Sequence, residues 1–503
     1  GIRDPLWSRG LGDVYKRQLF NVCNFDGGLK MEDLKQFFID GKWIIPNSTN
    51  IFPVIDPSNE KIFAEIILGN DKDVEAAVYA AKKAFNIFSS FSKGDRLKLL
   101  ENLLSVMEKR FEDLAKSMTK EMGAPIKFSR NSQADSGIGH LKGFIESLKK
   151  QSEREVISNG DILVREPIGV CALITPWNWP INQITLKVIP ALAVGCTCIL
   201  KPSEHTPLSA KIFSEIIEEA GYPPGVFNLI NGDGPTVGTL LSKHKDVDMV
   251  SFTGSTRAGV LVSKNAADSV KRVTLELGGK SPNLVFSDCN LEERVNESVL
   301  ECFSNSGQSC DAPTRLIVER KCYNEVLKIA ENAAKNQKVD DPHKDGDHIG
   351  PLFDQIQFDR VQNMIQLGIN EGAKLLIGGL GKPDGFDKGW YVKPTIFYDV
   401  HNKMQIAREE IFGPVLVIIP FEDEKEAIEI ANDTPYGLAS YLQTGDTERA
   451  ERVASKLRAG SVHINGGSLN YGSPFGGYKQ SGNGREGGDL GLEDFQEFKT
   501  LHF

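Results

Sequence analysis

An α/β fold built from two parallel-sheet domains is predicted for this 503-residue chain. Between residues 170 and 248, short β-rich runs alternate with helical stretches, the pattern of βαβ units around a parallel sheet. A second alternating block begins at Arg315 and reaches a strand near residues 461–465. The length agrees, since domains commonly hold about 150 residues. Ligands of such sheets bind at the carboxyl ends of the strands.

The elements follow from the local patterns in chain order. From Asp71 onward, apolar residues recur at spacings of three and four, which predicts two or three long amphipathic helices. The runs VCALITP, CTCILKPS and VFNLIN predict buried strands, and INQITLKVIPALAV and PLSAKIFSEIIEEAG predict the helices between them. Beyond Arg315, the runs RLIVER, KLLIGG and VLVIIPF predict strands of the second sheet.

Composition narrows the function classes. The 40% hydrophobic and 25% charged fractions are ordinary for a globular protein. A formal charge of -10 without a basic tract argues against binding to nucleic acid or to an anionic membrane. The longest apolar run, residues 188–200, is shorter than the about 20 residues that cross a bilayer. Eight cysteines are too sparse for a disulfide framework, so we expect the protein to work in a reducing compartment. From the charge balance, we expect its ligands to be small molecules.

The N-terminus is set apart from the fold. Residues 8–18, SRGLGDVYKRQ, resemble a translated sequencing adapter, and residues 1–18 show neither a helical nor a strand period. We expect residues 1–30 to be a non-native leader and Met31 to be the natural start. Because this leaves no room for a targeting peptide, a cytoplasmic location is expected.

Two glycine-rich turns are candidates for a dinucleotide phosphate. The segment that holds Gly232 and Gly234 follows the strand-like FNLIN, but it has one residue more than a GxGxxG fingerprint. Gly254 and Ser255 open a helix, where free backbone N–H groups and the helix dipole favour a phosphate. Glycines that merely supply positive φ are the alternative for either turn. Their occurrence on successive βα units favours a cofactor site.

Lys201 and Glu204 stand in the segment KPSE, at the carboxyl end of a buried strand. A carboxylate there can accept both hydroxyls of a ribose, whereas it would repel a 2'-phosphate. This favours NAD over NADP as a cofactor. A solvated charged loop is the alternative interpretation.

The strongest local cluster surrounds Cys310 in SNSGQSC, just after a helix that spans residues 291–303. Small polar residues make poor packing there, while backbone N–H groups can stabilise the thiolate, which is the reactive form. A turn cysteine without chemistry is the alternative. By contrast, Cys171, Cys196 and Cys198 lie in apolar runs and are expected to be packed in the core.

Two further polar residues could complete a reaction centre. Glu276 follows the strand-like RVTL and precedes two glycines, so beside a nucleophile it becomes a candidate base. Asn178 lies in TPWNWP, a rigid turn in which a buried amide needs an acceptor that a developing oxyanion would supply. A solvated glutamate and an asparagine that caps its own turn are the alternatives.

Seven ordered motifs resemble those of the NAD(P)-dependent aldehyde dehydrogenase superfamily, from about residue 36 to the C-terminus: TPWNWP, KPSE, FTGSTRAG, LELGGKSPN, SNSGQSC, EEIFGPV and PFGGYKQSG. The resemblance implies an aldehyde dehydrogenase-like fold. It implies a Rossmann-like NAD-binding domain of residues 31–146 and 171–279 and a catalytic domain of residues 280–486. Residues 147–170 and 487–503 would form an oligomerisation element of a homodimer or homotetramer.

The resemblance also implies site residues. Cys310 corresponds to the nucleophile, Glu276 to the general base and Asn178 to the side-chain donor of the oxyanion hole. The implied cofactor residues are Thr175, Pro176, Trp177, Lys201, Ser203, Glu204, Gly234, Gly254, Ser255, Leu277, Gln357, Glu410 and Phe412. The implied substrate-tunnel residues are Trp179, Gln183, Leu186, Ser309, Asp311, Leu469, Tyr471 and Phe475. No metal has a role in the implied scheme.

The expected reaction is NAD-dependent oxidation of an aldehyde to an acid through a thiohemiacetal and a thioester on Cys310. A CoA-acylating relative, a Cys/His hydrolase and a non-catalytic structural relative are the alternatives, and Glu276 argues against the first because that variant needs no base. The tunnel candidates suggest an aliphatic aldehyde or semialdehyde with a polar far end, meaning the end of the molecule away from the aldehyde group. The lack of an arginine among them argues against short dicarboxylic semialdehydes. Asp311 and His463 depart from the commonest pattern of the family and leave the substrate open.

Overall fold

A computed structural model of the protein describes residues 34–503. The predicted leader, residues 1–30, and the predicted start at Met31 lie outside the described residues. Two large sheets organise the described chain, as predicted, and helices pack against them.

The first sheet has eight strands, of which the five central ones are parallel. The strands in spatial order are Lys42–Ile44, Phe37–Ile39, Phe227–Leu229, Thr197–Lys201, Val170–Ile174, Met249–Thr253, Arg272–Glu276 and Gly482–Asn483. The predicted parallel sheet is found in the five central strands, and antiparallel pairs extend it at both edges through the first two strands and the last one. The last strand belongs to residues that the sequence assigned to the second domain.

The second sheet has seven strands, and all of its neighbouring pairs except the first are parallel. In spatial order they are Lys374–Ile377, Thr395–Tyr398, Val415–Phe421, Arg315–Glu319, Pro282–Val285, Ala439–Gln443 and Ser461–Ile464. A separate three-stranded antiparallel sheet joins Gln496–Leu501, Ile162–Pro167 and Arg154–Val156. Two small pairs complete the sheets, Asn50–Asp56 with Lys61–Leu68 and Lys338–Val339 with His348–Ile349.

The longer helices are Asp71–Phe88, Lys93–Lys109, Phe111–Met122, Asp135–Lys150, Pro180–Val194, Pro207–Glu219, Thr256–Ala266, Leu291–Phe303, Tyr323–Asn336, Gln355–Asn370, Glu424–Asn432 and Thr447–Ala454. Shorter α-helical segments are Ile126–Phe128, Thr239–Lys243, Gln405–Arg408 and Gly488–Glu493, and Ser129–Ala134 and Gly234–Gly238 are π-helical. The 3₁₀ turns are Ala267–Ser269, Ser304–Gly307, Arg320–Cys322 and Lys479–Ser481.

Local chemistry explains the first long helix. Asn70 caps it by accepting hydrogen bonds from the backbone N–H groups of Lys72 and Asp73, and the Asp73 side chain accepts from the Asn70 N–H in return. Val74 and Ala77 lie on its buried face. The helix predicted from the apolar spacing is therefore confirmed.

The central strands of the first sheet are buried on both faces, which is why their sequences are continuous apolar runs. In Val170–Ile174, Cys171 and Leu173 contribute to one apolar core and Ala172 to another, because successive strand residues point to opposite faces. Cys196 and Cys198 join the same core as Cys171, so their predicted packing role is confirmed. No helix among residues 34–503 is long and apolar enough to cross a membrane.

Candidate active site

Cys310 lies where two cavities approach each other. Cys310 itself lines a cavity of about 190 Å³, and its neighbours Ser309 and Asp311 line a second cavity of about 630 Å³. The first cavity lies at the carboxyl ends of the parallel strands, as the fold predicts. It is lined by Pro176, Trp177, Asn178, Thr253, Gly254, Ser255, Glu276, Leu277, Gly278, Cys310, Gln357, Arg360, Glu410 and Phe412. The three predicted catalytic residues thus share one cavity.

A strained turn carries the nucleophile. After Leu291–Phe303 ends, Asn305, Ser306 and Gly307 have φ of 53°, 57° and 73°, in the left-handed region. A Cβ on Gly307 would lie 2.1 Å from the Gly413 carbonyl oxygen, so only glycine fits. The Ser306 hydroxyl donates to the Gly350 carbonyl at 2.8 Å and ties the turn to the rest of the protein.

Burial raises the pKa of the Cys310 thiol well above its usual range, and the nearby carboxylates of Asp311, Glu410 and Glu276 raise it further. These effects favour the thiol over the thiolate at Cys310. A positive charge placed in the first cavity would oppose the carboxylates and favour the thiolate.

Asn178 is held toward the nucleophile loop. Its amide nitrogen Nδ2 donates to the Gln308 carbonyl at 3.0 Å, and its backbone carbonyl accepts from Gln133 Nε2 and Asn305 Nδ2, each at 3.0 Å. Asn305 also donates to the Gln308 carbonyl, at 3.2 Å. This network fixes the Asn178 amide beside the cavity that holds Cys310, where it can donate to an oxyanion.

Glu276 ends the strand Arg272–Glu276 and is only 5% exposed. Both of its carboxyl oxygens are buried without a hydrogen-bond partner among the described residues. Burial raises the pKa of Glu276 well above its usual range, and the Glu486 carboxylate raises it further, while Lys187 opposes the shift. Lys187 is buried between the Glu486 carboxylate and the Thr253 hydroxyl, which it contacts at 2.6 Å.

Glu410 and Phe412, which belong to the chain of the second sheet, also line the first cavity. The Glu410 carboxylate accepts from the Gly279 N–H at 3.0 Å, and burial raises its pKa to about 7. Phe412 has φ of 60° and its ring meets Trp177 edge to face at 5.4 Å. Gln357 holds this turn by donating to the carbonyls of Ile411 and Phe412 at 3.0 and 2.7 Å.

The other predicted cofactor residues stand further along the strand ends and do not line the 190 Å³ cavity. Lys201 Nζ donates to the Pro202 and Gly232 carbonyls at 2.8 and 2.7 Å and lies 3.7 Å from the Glu204 carboxylate. The Thr175 hydroxyl is buried and has no partner among the described residues. Ser203 accepts from the His205 N–H at 3.3 Å, and Gly234 begins Gly234–Gly238.

Half of the predicted tunnel residues line the 630 Å³ cavity, which we call the substrate-side cavity. Trp179, Ser309, Asp311 and Leu469 do so, and Trp179 Nε1 donates to the Ser309 hydroxyl at 2.9 Å.

The other four do not line this cavity, and their place in a tunnel stays a prediction. Gln183 and Leu186 are buried in Pro180–Val194. The Tyr471 ring packs on Gly139, and its hydroxyl donates to Asp135 at 2.9 Å. The Phe475 backbone pairs with Glu486.

Sequence reasoning missed several residues of both cavities. Arg360 and Thr253 line the first cavity, and Phe128, Arg294, Glu297, Glu301 and Tyr441 line the second. His463, which the sequence marked as a departure from the family pattern, lines the second cavity as well. The predicted tunnel set contains no arginine, whereas Arg294 lines the substrate-side cavity. Arg294 lies on the helix that precedes the nucleophile turn, and the sequence carries no signal that this helix faces the substrate side. Among residues 34–503, no cluster of histidine, cysteine or carboxylate side chains could hold a metal ion.

Comparison with known proteins agrees with this geometry. The model of the aldehyde dehydrogenase family matches residues 43–501. A 3-succinoylsemialdehyde-pyridine dehydrogenase from a Pseudomonas species is 51% identical over 94% of this chain and 99% of its own length. An aldehyde dehydrogenase structure from Bartonella henselae is 49% identical, with a TM-score of 0.92 over 93% of this chain and 98% of that one.

A further solved structure has ligands bound. It is a cysteine-to-alanine variant of aldehyde dehydrogenase C from Pseudomonas syringae, in complex with NAD+ and octanal. It is 47% identical, with a TM-score of 0.92 over 93% of this chain and 97% of that one. The expected superfamily and fold are thereby confirmed: the chain belongs to the aldehyde dehydrogenase family and is an oxidoreductase that acts on aldehydes.

Proposed function

We propose that the protein oxidises an aldehyde to a carboxylic acid, with NAD as the hydride acceptor and Cys310 as the nucleophile. The observation that carries the proposal is the shared cavity of Cys310, Glu276 and Asn178. The same cavity is lined by predicted cofactor residues, and the substrate-side cavity begins at the two neighbours of Cys310. A similar protein binds NAD+ and octanal together.

The residues present fit a nicotinamide dinucleotide. Ser255 caps the helix Thr256–Ala266 beside the cavity, so free N–H groups of its first turn can bind a phosphate. The unpartnered Thr175 hydroxyl and the Lys201–Glu204 pair lie at the next strand ends, suited to the adenosine ribose. Glu410 and Phe412 would hold the nicotinamide end. We assign the first sheet to the NAD-binding domain and the second to the catalytic domain.

The reaction begins when the Cys310 thiolate adds to the aldehyde carbonyl. The Asn178 amide and the backbone N–H of Cys310 donate to the oxyanion that forms, which is worth about 3 kcal/mol per donor in well-studied sites. When bound, NAD accepts the hydride that leaves the thiohemiacetal carbon. A thioester on Cys310 remains.

Glu276 then removes a proton from the water that hydrolyses the thioester. Its carboxyl oxygens have no fixed partner, so both are free to accept a proton from water. This favours hydrolysis over transfer to CoA, which needs no base. Formation of acyl-CoA without free acid, on addition of CoA, would overturn this part of the proposal.

We further propose a preference for NAD over NADP, supported by the position of Glu204. Its carboxylate lies 3.7 Å from Lys201 Nζ at a strand end, where a 2'-phosphate would be repelled. Replacement Glu204→Ala should raise kcat/KM with NADP relative to NAD. An unchanged ratio of the two values would count against a ribose contact.

The substrate itself is proposed to be an aldehyde with a polar far end, because the substrate-side cavity joins aromatic and charged residues. One relative is named for a pyridine-bearing semialdehyde, and another binds octanal.

A panel of aldehydes, with NADH or NADPH formation followed by absorbance for each cofactor, tests activity and substrate class together. Ester cleavage without any NADH would favour a Cys/His hydrolase instead, and full turnover by Cys310→Ala would remove the nucleophile assignment.

We also propose a homodimer or homotetramer, assembled through the three-stranded sheet. Two apolar side chains stand exposed on its strands, Val156 at 72% and Phe498 at 47%.

The seven cysteines of the described chain are all free, which supports a reducing, cytoplasmic location.

A further inference from the structure

The substrate-side cavity is unusually rich in carboxylates for a site that accepts an uncharged functional group. Glu297, Glu301 and Asp311 line it, all from the chain of the second sheet and its helices. The Glu301 side chain is partly open to solvent, but protein atoms surround its carboxyl group. This burial, and to a smaller extent the charge of Asp311, raises the pKa of Glu301 to about 7. Burial also raises the pKa of Asp311. Both residues line the same cavity, and the charge of Asp311 contributes to the raised pKa of Glu301.

Few of these charges are neutralised by the protein. Arg294 is the only lysine or arginine of the described chain that lines the cavity. Its guanidinium is already bound to Glu293 and Glu297, and it donates to the Asn465 carbonyl at 2.6 Å. By contrast, no ion pair engages the side chain of Glu301 or Asp311 among residues 34–503. His463 also lines the cavity: one ring nitrogen contacts the Gly467 carbonyl at 2.9 Å, and the ring opposes the effect of burial by lowering the pKa of Asp311.

Aromatic rings form much of the remaining lining. Tyr441 and His463 stack with ring centroids 4.7 Å apart, and the Tyr441 hydroxyl donates to the Asp311 carbonyl at 3.1 Å. Phe128 and Trp179, which come from the chain of the first sheet, meet edge to face at 5.5 Å. The faces of such rings attract cations, most strongly where water is partly excluded.

We propose that this cavity selects aldehydes whose far end carries a positively charged nitrogen, which Glu301 and Asp311 bind as a carboxylate pair. The inference rests on the proposed function and adds the substrate class to it. A positively charged far end would favour the ionised form of both carboxyl groups, and it would also contact the aromatic rings. A carboxylate far end would meet like charge, because the single arginine is already paired.

Three probes of matched length test the charge alone. They are 4-(trimethylammonio)butanal, its uncharged isostere 5,5-dimethylhexanal, and the anion 5-oxopentanoate. Values of kcat/KM are measured with saturating NAD for the full-length protein and its variants. We expect the cation to exceed its isostere by about tenfold, which corresponds to about 1.4 kcal/mol, and the anion to be the poorest substrate.

Two substitutions locate the effect. Glu301→Gln should lower the cation-to-isostere ratio by about fivefold, the effect of one partly exposed ion pair, and adding Asp311→Asn should bring it close to one. Glu301→Lys should raise kcat/KM for 5-oxopentanoate. The control is Glu292→Gln, which removes a charge from the same helix outside the cavity and should leave the ratio unchanged.

Equal or better turnover of 5,5-dimethylhexanal by the wild-type protein would overturn the inference, as would a ratio that Glu301→Gln does not change. Either result, with NADH still produced, leaves the proposed function standing. Absence of NADH with every aldehyde would instead remove the proposed function and this inference together.

Discussion

Glu276 is a carboxyl group buried beside a nucleophile and given no hydrogen-bond partner by the described protein. An unpaired buried carboxyl costs stability, so its retention at the cavity wall fits a role in chemistry rather than in folding. The nearby charges of Lys187 and Glu486 are paired with each other.

Replacing Glu276 by glutamine should separate the two halves of the reaction. The first turnover should still release about one NADH per site, because hydride transfer needs no base at this position. Later turnovers should slow by roughly 10² to 10⁴, the usual contribution of a general base. Stopped-flow absorbance resolves the burst from the steady state, and loss of the burst would contradict the assigned role.

The pH dependence of thioester hydrolysis should follow the same residue. The pKa of Glu276 is raised, and only its deprotonated form accepts a proton. The hydrolysis rate should therefore rise as pH increases through that raised pKa and fall as pH drops below it. Single-turnover hydrolysis of the isolated acyl-enzyme measures this step apart from Cys310 ionisation. A hydrolysis rate that does not change with pH above the ordinary pKa range of glutamate would argue against Glu276 as the base.

At the scale of elements, the turn from residue 304 to residue 307 sets the position of Cys310. Gly307→Ala should lower both kcat and the free energy of unfolding, because its Cβ would meet the Gly413 carbonyl at 2.1 Å. Gly372 is a matched control, since its φ of 86° is also left-handed but a Cβ there meets nothing within 4 Å. Gly372→Ala should cost only the backbone strain, about 1 kcal/mol. Equal effects in urea unfolding and in kcat would refute the steric account.

Local patterns predicted the elements well where the cause is local. The helix that precedes Cys310 ends at Phe303, as the pattern predicts, and the strands around Val170–Ile174 follow from their apolar runs. The antiparallel strand Gly482–Asn483 was missed because its partner, Arg272–Glu276, is about two hundred residues away in sequence. No local period reports such a pairing.

Like the elements, the site residues that local motifs mark were predicted, and those that depend on packing between distant elements were not. Cys310, Glu276 and Asn178 could be found because ordered motifs mark them, and the structure brings them to one cavity. Tyr471 was expected in the tunnel but does not line the substrate-side cavity, and Glu301 lines that cavity without having been expected there. Which face of a helix or loop meets the substrate depends on packing between distant elements, such as Tyr471 against Gly139.

At the scale of the whole molecule, the three-stranded sheet should govern assembly. Wild-type protein should sediment as a dimer or tetramer, and Phe498→Glu should shift it toward smaller species, because a charge would replace an apolar contact. Ile45→Glu is the control, since Ile45 is 82% exposed beside the edge strand Lys42–Ile44 of the other sheet. A wild-type monomer in sedimentation velocity would contradict the proposed oligomer.

The most direct test of the central claim is mass spectrometry of the acid-quenched Glu276→Gln protein after one turnover with NAD and an aldehyde. We predict that the peptide containing Cys310 gains the mass of the acyl group, in proportion to the NADH released. NADH release without an acyl adduct, or with an adduct on another residue, would contradict the claim that Cys310 carries the thioester.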